Sequence, residues 1–122
     1  MKPMISKTAA LLALVGCAAL TGCASQPKTM YQWDGYQPQV YEYLKGASPE
    51  QQIAAMEKNL QDISAKGNQA PPGFHAQLGM LYSISGKPDQ VIAQFKDEKK
   101  LFPESGPYMD FLLGKMEKGE KL

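Results

Sequence analysis

Few side chains in this sequence could carry covalent or acid–base chemistry. There are two thiols, Cys17 and Cys23, one imidazole, His75, and 12 carboxylates among 122 residues. Any nucleophile–base pair built on imidazole would have to use His75, and no nucleophile motif accompanies it. A metal site needs clustered His, Cys or carboxylate ligands, and neither the lone His nor the two thiols sit in such a cluster. Paired carboxylates of the glycoside-hydrolysing kind leave no mark in a sequence. Here the acids are scattered over stretches that should form solvated helix faces. Glycine-rich phosphate loops are absent. All 13 basic residues are lysines. The missing guanidinium fork argues against a nucleic-acid or phosphate surface. No catalytic residue, metal ligand, cofactor or nucleic-acid partner is therefore expected, and the chain does not read as an enzyme.

Cys23 stands apart because of what precedes it. Lys2 and Lys7 give a positive start, and Ala9 to Leu20 then run for 12 residues without a charge. A bilayer-spanning helix needs about 20 apolar residues, whereas a signal-peptide apolar region needs about 7–15. Residues 20–23, Leu-Thr-Gly-Cys, resemble the lipobox of bacterial lipoproteins. That resemblance implies cleavage before Cys23, a lipid on its thiol, and acylation of the new amine, with palmitate as the usual chain. Cys17 would leave with residues 1–22, so no disulfide is expected even in an oxidising compartment. Several acyl chains anchor stably where one binds marginally. Ala24 after the Cys resembles the default, outer-membrane sorting pattern. The expected location is the periplasmic face of the outer membrane. The expected mature chain has 11 lysines against 12 acids, a net charge of −1. Such a balance steers toward no strongly charged partner.

Three regions follow: a signal peptide over 1–22, a lipidated tether over 23–30, and one domain over 31–122. Residues 24–29 are polar, contain Pro27, and span at most about 20 Å. Asp34–Gly35 is a turn signal. Pro38 suits the first turn of a helix carrying Val40, Tyr41 and Leu44, with Gly46 at its end. Ser48-Pro49-Glu50-Gln51 reads as a capped start, with Gln51 able to complete a capping box. Ile53, Met56, Leu60 and Ile63 then share one helical face, Asp62 and Lys66 stand at pairing distance, and Gly67 ends the helix. Further faces carry Phe74, Leu78, Leu81 and Tyr82, then Val91, Ile92, Phe95 and Phe102, and a last helix has Tyr108, Phe111, Leu112 and Met116 as its apolar residues. Pro103 breaks the chain before Ser105, a possible cap. No stretch alternates like a strand. The fold class is all-α, built of antiparallel helical hairpins.

Leu78, Gly79, Tyr82, Phe95 and Pro103 fall at spacings that resemble one tetratricopeptide repeat. Val91 and Glu98 stand where that pattern usually has small residues, and His75 where it often has Trp. Gly114 follows Gly79 by 35 residues, near the repeat period, and Gly46 to Ile63 parallels Gly86 to Phe102. The resemblance implies one clear repeat, a degenerate one before it and a capping helix after it, stacked because none buries its face alone.

Tyr31, Trp33, Tyr36, Tyr41 and Tyr43 crowd into 13 residues. They could close the open end of the stack, form a recognition surface, or make a stacking platform for sugars. Standing just after the tether, they also lie near the membrane, where such rings favour the interface. Tyr31-Gln32-Trp33-Asp34-Gly35-Tyr36 and Tyr41-Glu42-Tyr43-Leu44, behind the lipobox, resemble a family of short bacterial lipoproteins of unknown function. Members are often encoded beside a lipoprotein similar to the curli secretion channel. The resemblance implies a part in envelope assembly or secretion, with a protein partner for which that channel-like lipoprotein is the candidate, and carries over no functional residue but Cys23. Trp33, Tyr36, Tyr41 and Tyr43 are the candidate partner-binding residues. A cell-wall sugar binder or enzyme using these aromatic residues with nearby Asp34 or Glu42, and a pilotin-like chaperone of an outer-membrane channel, are the alternatives.

Overall fold

The computed structural model describes residues 28–122. Cys17, Cys23 and the expected signal peptide lie outside the described residues. The described chain is all-helical, with no strand among these residues. Its elements are α1 (Tyr36–Leu44), α2 (Pro49–Ala65), α3 (Phe74–Ile84), α4 (Pro88–Leu101), a 3₁₀ turn (Pro103–Ser105) and α5 (Gly106–Glu117). Each helix packs on the next in chain order, α3 and α4 most extensively.

Proline and glycine set most of the boundaries. Pro49 and Pro88 occupy first-turn positions, where a missing N–H costs nothing. At the end of α2, Gly67 takes a left-handed φ of 65°, and the next N–H, of Asn68, reaches back to the Ile63 carbonyl at 3.0 Å. The same bond closes α1 after Gly46 and α3 after Gly86. The capping chemistry differs from the sequence expectation. Ser48 does precede α2, but its hydroxyl donates to Glu50 Oε2 at 2.7 Å, not to itself receive a backbone N–H. No capping box forms with Gln51; the neighbouring Gln52 is buried and donates to the Ala47 carbonyl at 2.9 Å. Asp62 and Lys66 do not pair. The ion pairs that do form, such as Lys99 with Asp110 at 2.6 Å, are exposed and contribute at most about 1 kcal/mol.

The core follows the periodic faces of α2, α3 and α4. Ile53, Met56 and Ile63 meet Phe74, Leu78, Leu81 and Tyr82, which meet Val91 and Phe95. Tyr82 also donates its hydroxyl to Glu57, and burial together with that carboxylate pushes the phenol well above its usual range. On α5 the apolar side chains divide between core and surface. Met109 and Leu112 turn inward, while Tyr108 and Phe111 stay exposed and stack on each other at 6.4 Å.

At Gly79 of α3, side chains of α4 press close against the backbone. A Cβ added there would lie 2.5 Å from Phe95 Cε1 and 3.4 Å from Gln94 Cβ. The Phe95 ring is fully buried and has no room to retreat. Gly114, 35 residues further on in α5, has nothing within 4 Å of its would-be Cβ.

Glu98 is 1% exposed, yet no basic side chain pairs with it among the described residues. Its carboxyl instead crosses from α4 to the start of α3. Oε1 accepts from the Gly73 N–H at 2.7 Å, and Oε2 accepts from the Ala76 N–H at 3.4 Å. The Ser105 hydroxyl donates to Oε1 at 3.4 Å. Gly73 has a left-handed φ of 89° and no side chain of its own to cap the helix. The cap therefore arrives from another helix, where it also faces the positive end of the α3 dipole.

Two predictions follow from these contacts. Gly79→Ala loses about 1–2 kcal/mol, because overpacking against Phe95 outweighs the gain in helix propensity, while Gly114→Ala gains about 0.5–1 kcal/mol. Urea unfolding followed by circular dichroism gives both signs; equal shifts in the same direction would contradict the packing described. Glu98→Ala leaves the Gly73 and Ala76 N–H groups without a buried partner and costs about 2–4 kcal/mol, whereas Glu98→Gln keeps one acceptor and costs about half as much. Thermal denaturation ranks the two variants, and a Glu98→Ala protein as stable as the parent would remove Glu98 from this role.

Candidate functional site

The segment before α1 is a strap laid across one end of the helix stack. Successive side chains of an extended chain point to opposite sides. Gln32 points inward and is buried, while Tyr31 and Trp33 lie along the surface. Gln32 is held twice. Its backbone N–H donates to the Gln69 carbonyl at 2.9 Å, and its side-chain oxygen accepts from Asn68 Nδ2 at 2.8 Å. Asn59 of α2 donates to the Asp34 carbonyl. The strap then turns into α1, with the Tyr36 N–H reaching the Trp33 carbonyl at 3.2 Å. Gly35 is required at that turn, since φ is 79° and a Cβ would run into the Asn59 side chain.

The strap rings form a continuous chain. Tyr31 meets Phe102 edge-on at 5.7 Å and Trp33 at 6.4 Å. Trp33 meets Tyr36 at 6.1 Å, and Tyr36 meets Phe74 at 5.7 Å. Ring pairs at these separations attract beyond simple burial. The chain of rings ties the end of α4 to the start of α3 through the strap. The Tyr36 hydroxyl approaches Gly73, where a Cβ would come within 2.8 Å. Burial, and secondly the charge of Glu98, raise the Tyr36 phenol above its ordinary range, so it stays protonated at neutral pH.

Trp33 nevertheless remains 42% exposed. It stands on the wall of a groove of about 530 Å³ lined by Lys28, Tyr31, Trp33, Asp34, Lys66 and Asn68. The groove combines an indole face, two ammonium groups and one carboxylate. It can hold an amphipathic group with a negative charge better than it can perform a reaction.

The four candidate aromatics divide between two environments. Tyr36 and Tyr43 pack against the core. Trp33 is exposed on the strap and Tyr41 on the outer side of α1, with Lys45 Nζ 5.0 Å over the Tyr41 ring. Glu42 pairs with Lys45 at 3.8 Å and does not line the groove beside Trp33. Of the two carboxylates paired with Trp33 in the sugar-binding alternative, only Asp34 is brought to it. His75 is buried, with Nδ1 2.7 Å from Gln94 Oε1 and its ring edge-on to Phe74. No group of three His, Cys, Asp or Glu residues able to hold a metal occurs among the described residues. None of the described helices is long and apolar enough to cross a membrane.

Two features escaped the sequence reading. Glu98 showed there only as a mismatch with the repeat pattern, and its target, Gly73, lies 25 residues away. The apolar residues of α5 do not by themselves show that Tyr108 and Phe111 face outward. A signal was nonetheless present in the helix itself, since α5 is apolar on both sides and Gly114 follows Gly79 by 35 residues.

A family model described as a domain of unknown function, DUF4810, matches residues 30–112. No curated protein and no solved structure matches the chain. The matched span opens at the head of the strap, takes in the aromatic chain, Gly79 and Glu98, and closes on the buried Leu112 of α5; the chain belongs to the DUF4810 family.

Proposed function

We propose that this chain is a lipid-anchored interaction module of the bacterial envelope. Cys23 carries the lipid at the periplasmic face of the outer membrane, and the helical stack holds a protein partner in envelope assembly or secretion. The observation that supports the partner is the outer ridge of α5. Over Gly79, the α4 ring of Phe95 fills the space that the glycine leaves. Over Gly114 the equivalent space is open, and beside it Tyr108 and Phe111 stand exposed, with Phe111 56% accessible. Helical-repeat stacks normally end on a polar outer face. An apolar one suits an amphipathic helix of a partner, laid on α5 as α4 is laid on α3, with an apolar side chain over Gly114. Tyr and Phe are enriched in the cores of protein interfaces. Lys115 Nζ lies 5.4 Å from the Phe111 ring and supplies the polar rim.

Two experiments test the two halves of this reading. A photocrosslinking residue placed at Phe111 in growing cells is expected to yield one discrete adduct, and Phe111→Glu combined with a crosslinker at Tyr108 is expected to lower that adduct roughly tenfold, as burying an unpaired charge requires. Recovery of the uncrosslinked chain alone would refute the partner. For the anchor, labelled palmitate is expected on the parent protein and absent from Cys23→Ser; incorporation that survives the substitution would rule out lipidation at this thiol.

A further inference from the structure

The strap crosses the end of the stack where α2 and α4 finish and α3 and α5 begin. Its bonds to Asn68 and Gln69, and the contact of Tyr31 with Phe102, fix it there. Three large apolar side chains remain uncovered on the strap and the adjoining end of α4: Met30 at 79%, Trp33 at 42% and Leu101 at 39% exposure. The Trp33 ring meets Tyr31 edge-on and Tyr36 at a tilt, and these contacts hold it where it is presented to solvent. Lys28 and Lys66 flank it in one groove, and neither pairs with a carboxylate among the described residues. Lys100 stands at the end of α4. The acids nearby are Asp34 in the same groove, Asp62 in the groove adjoining Lys66, and Glu104 on the 3₁₀ turn.

Chain length decides which way this end points. Lys28 follows Cys23 by five residues, which span at most about 18 Å when fully extended. α2 alone, at 17 residues, is about 25 Å long. If the strap faced away from an anchoring bilayer, Lys28 would stand farther from it than the tether can reach. We infer that the strap end rests on the lipid surface, with Trp33 and Met30 in the headgroup layer and Lys28 and Lys66 against lipid phosphates. Indole rings favour that layer because one edge is apolar and the other donates a hydrogen bond. Lysines beside them add attraction to anionic headgroups. This inference rests on the proposed lipid anchor at Cys23.

Trp33 is the only tryptophan in the sequence, so its emission reports on this site alone. The full chain, purified from membranes, is reconstituted into vesicles of phosphatidylethanolamine and phosphatidylglycerol carrying bromine high on the acyl chains. Flotation of the vesicles reports the anchor, and quenching of Trp33 reports the contact. The expected result is flotation with a blue-shifted emission quenched roughly twofold, as for an indole at the headgroup level. Flotation without quenching overturns the inference and leaves the anchor standing. No flotation and no quenching overturns both. An emission that shifts with soluble peptidoglycan fragments and is not quenched by the brominated vesicles assigns the groove to a glycan and also overturns the inference.

Discussion

One buried carboxyl group organises this small domain. Glu98 reaches from the last turn of α4 to the first turn of α3, and three donors from two other elements converge on it. An unpaired polar group at this depth would cost several kcal/mol. Here backbone N–H groups and a helix dipole offset the burial without a basic partner. The arrangement is self-consistent with Gly73. The left-handed turn admits the chain into α3 and leaves room for the Tyr36 hydroxyl, but it cannot carry a capping side chain. Glu98 supplies what Gly73 lacks. Tyr36, pressed against Phe74 beside the same carboxyl, then fixes where α1 begins, and through Trp33 and Tyr31 where the strap lies. The aromatic surface is thus positioned by a polar interaction that it does not contain.

Local features of the sequence read out well and long-range ones poorly, for physical reasons. Glycine after Ile63, Glu42 or Tyr82 ends a helix whatever surrounds it, because the left-handed residue and its back-bond involve only neighbours. The faces of α2, α3 and α4 were legible because each is apolar on one side only. α5 was not, since Tyr108 and Phe111 compete with Met109 and Leu112 for the core, and only the position of α4 decides between them. Ser48 stands where a cap should, but its hydroxyl has a closer acceptor in Glu50. Gly79 was legible because a glycine inside a helix calls for a close neighbour, and Phe95 is that neighbour. For the aromatic cluster, residue types gave density but not direction. An extended strap and a helix deal the same five rings to different sides, and only the bonds of Gln32 and Asn59 settle which rings face out.

The exposed apolar groups belong to two separate places, and their separation bears on how the stack works. Trp33 and Met30 lie on the strap, before α1. Tyr108 and Phe111 lie on the last helix, along its length. Each helix packs mainly on its neighbour in the chain, so α1 and α5 occupy opposite sides of the stack. A repeat stack transmits position well and chemistry poorly, since every unit touches only the next.

That geometry constrains any partner of α5. With the strap end held at a lipid surface, helices that run away from the strap stand up from the bilayer, and the outer ridge of α5 faces sideways rather than outward. A helix docking over Gly114 would then rise beside the stack, roughly along α5, much as α4 lies along α3. Such a site favours a neighbour that is itself at the membrane over a soluble factor arriving from the periplasm. A lipid on Cys23, as proposed, would reinforce the preference, because a spacing of about 18 Å would keep the domain within reach of membrane-bound neighbours and away from distant ones. If the proposed anchor and lipid contact hold, the strap and the open space over Gly114 would act together: a stack set on end, offering a helix-sized face at a fixed height above the lipid.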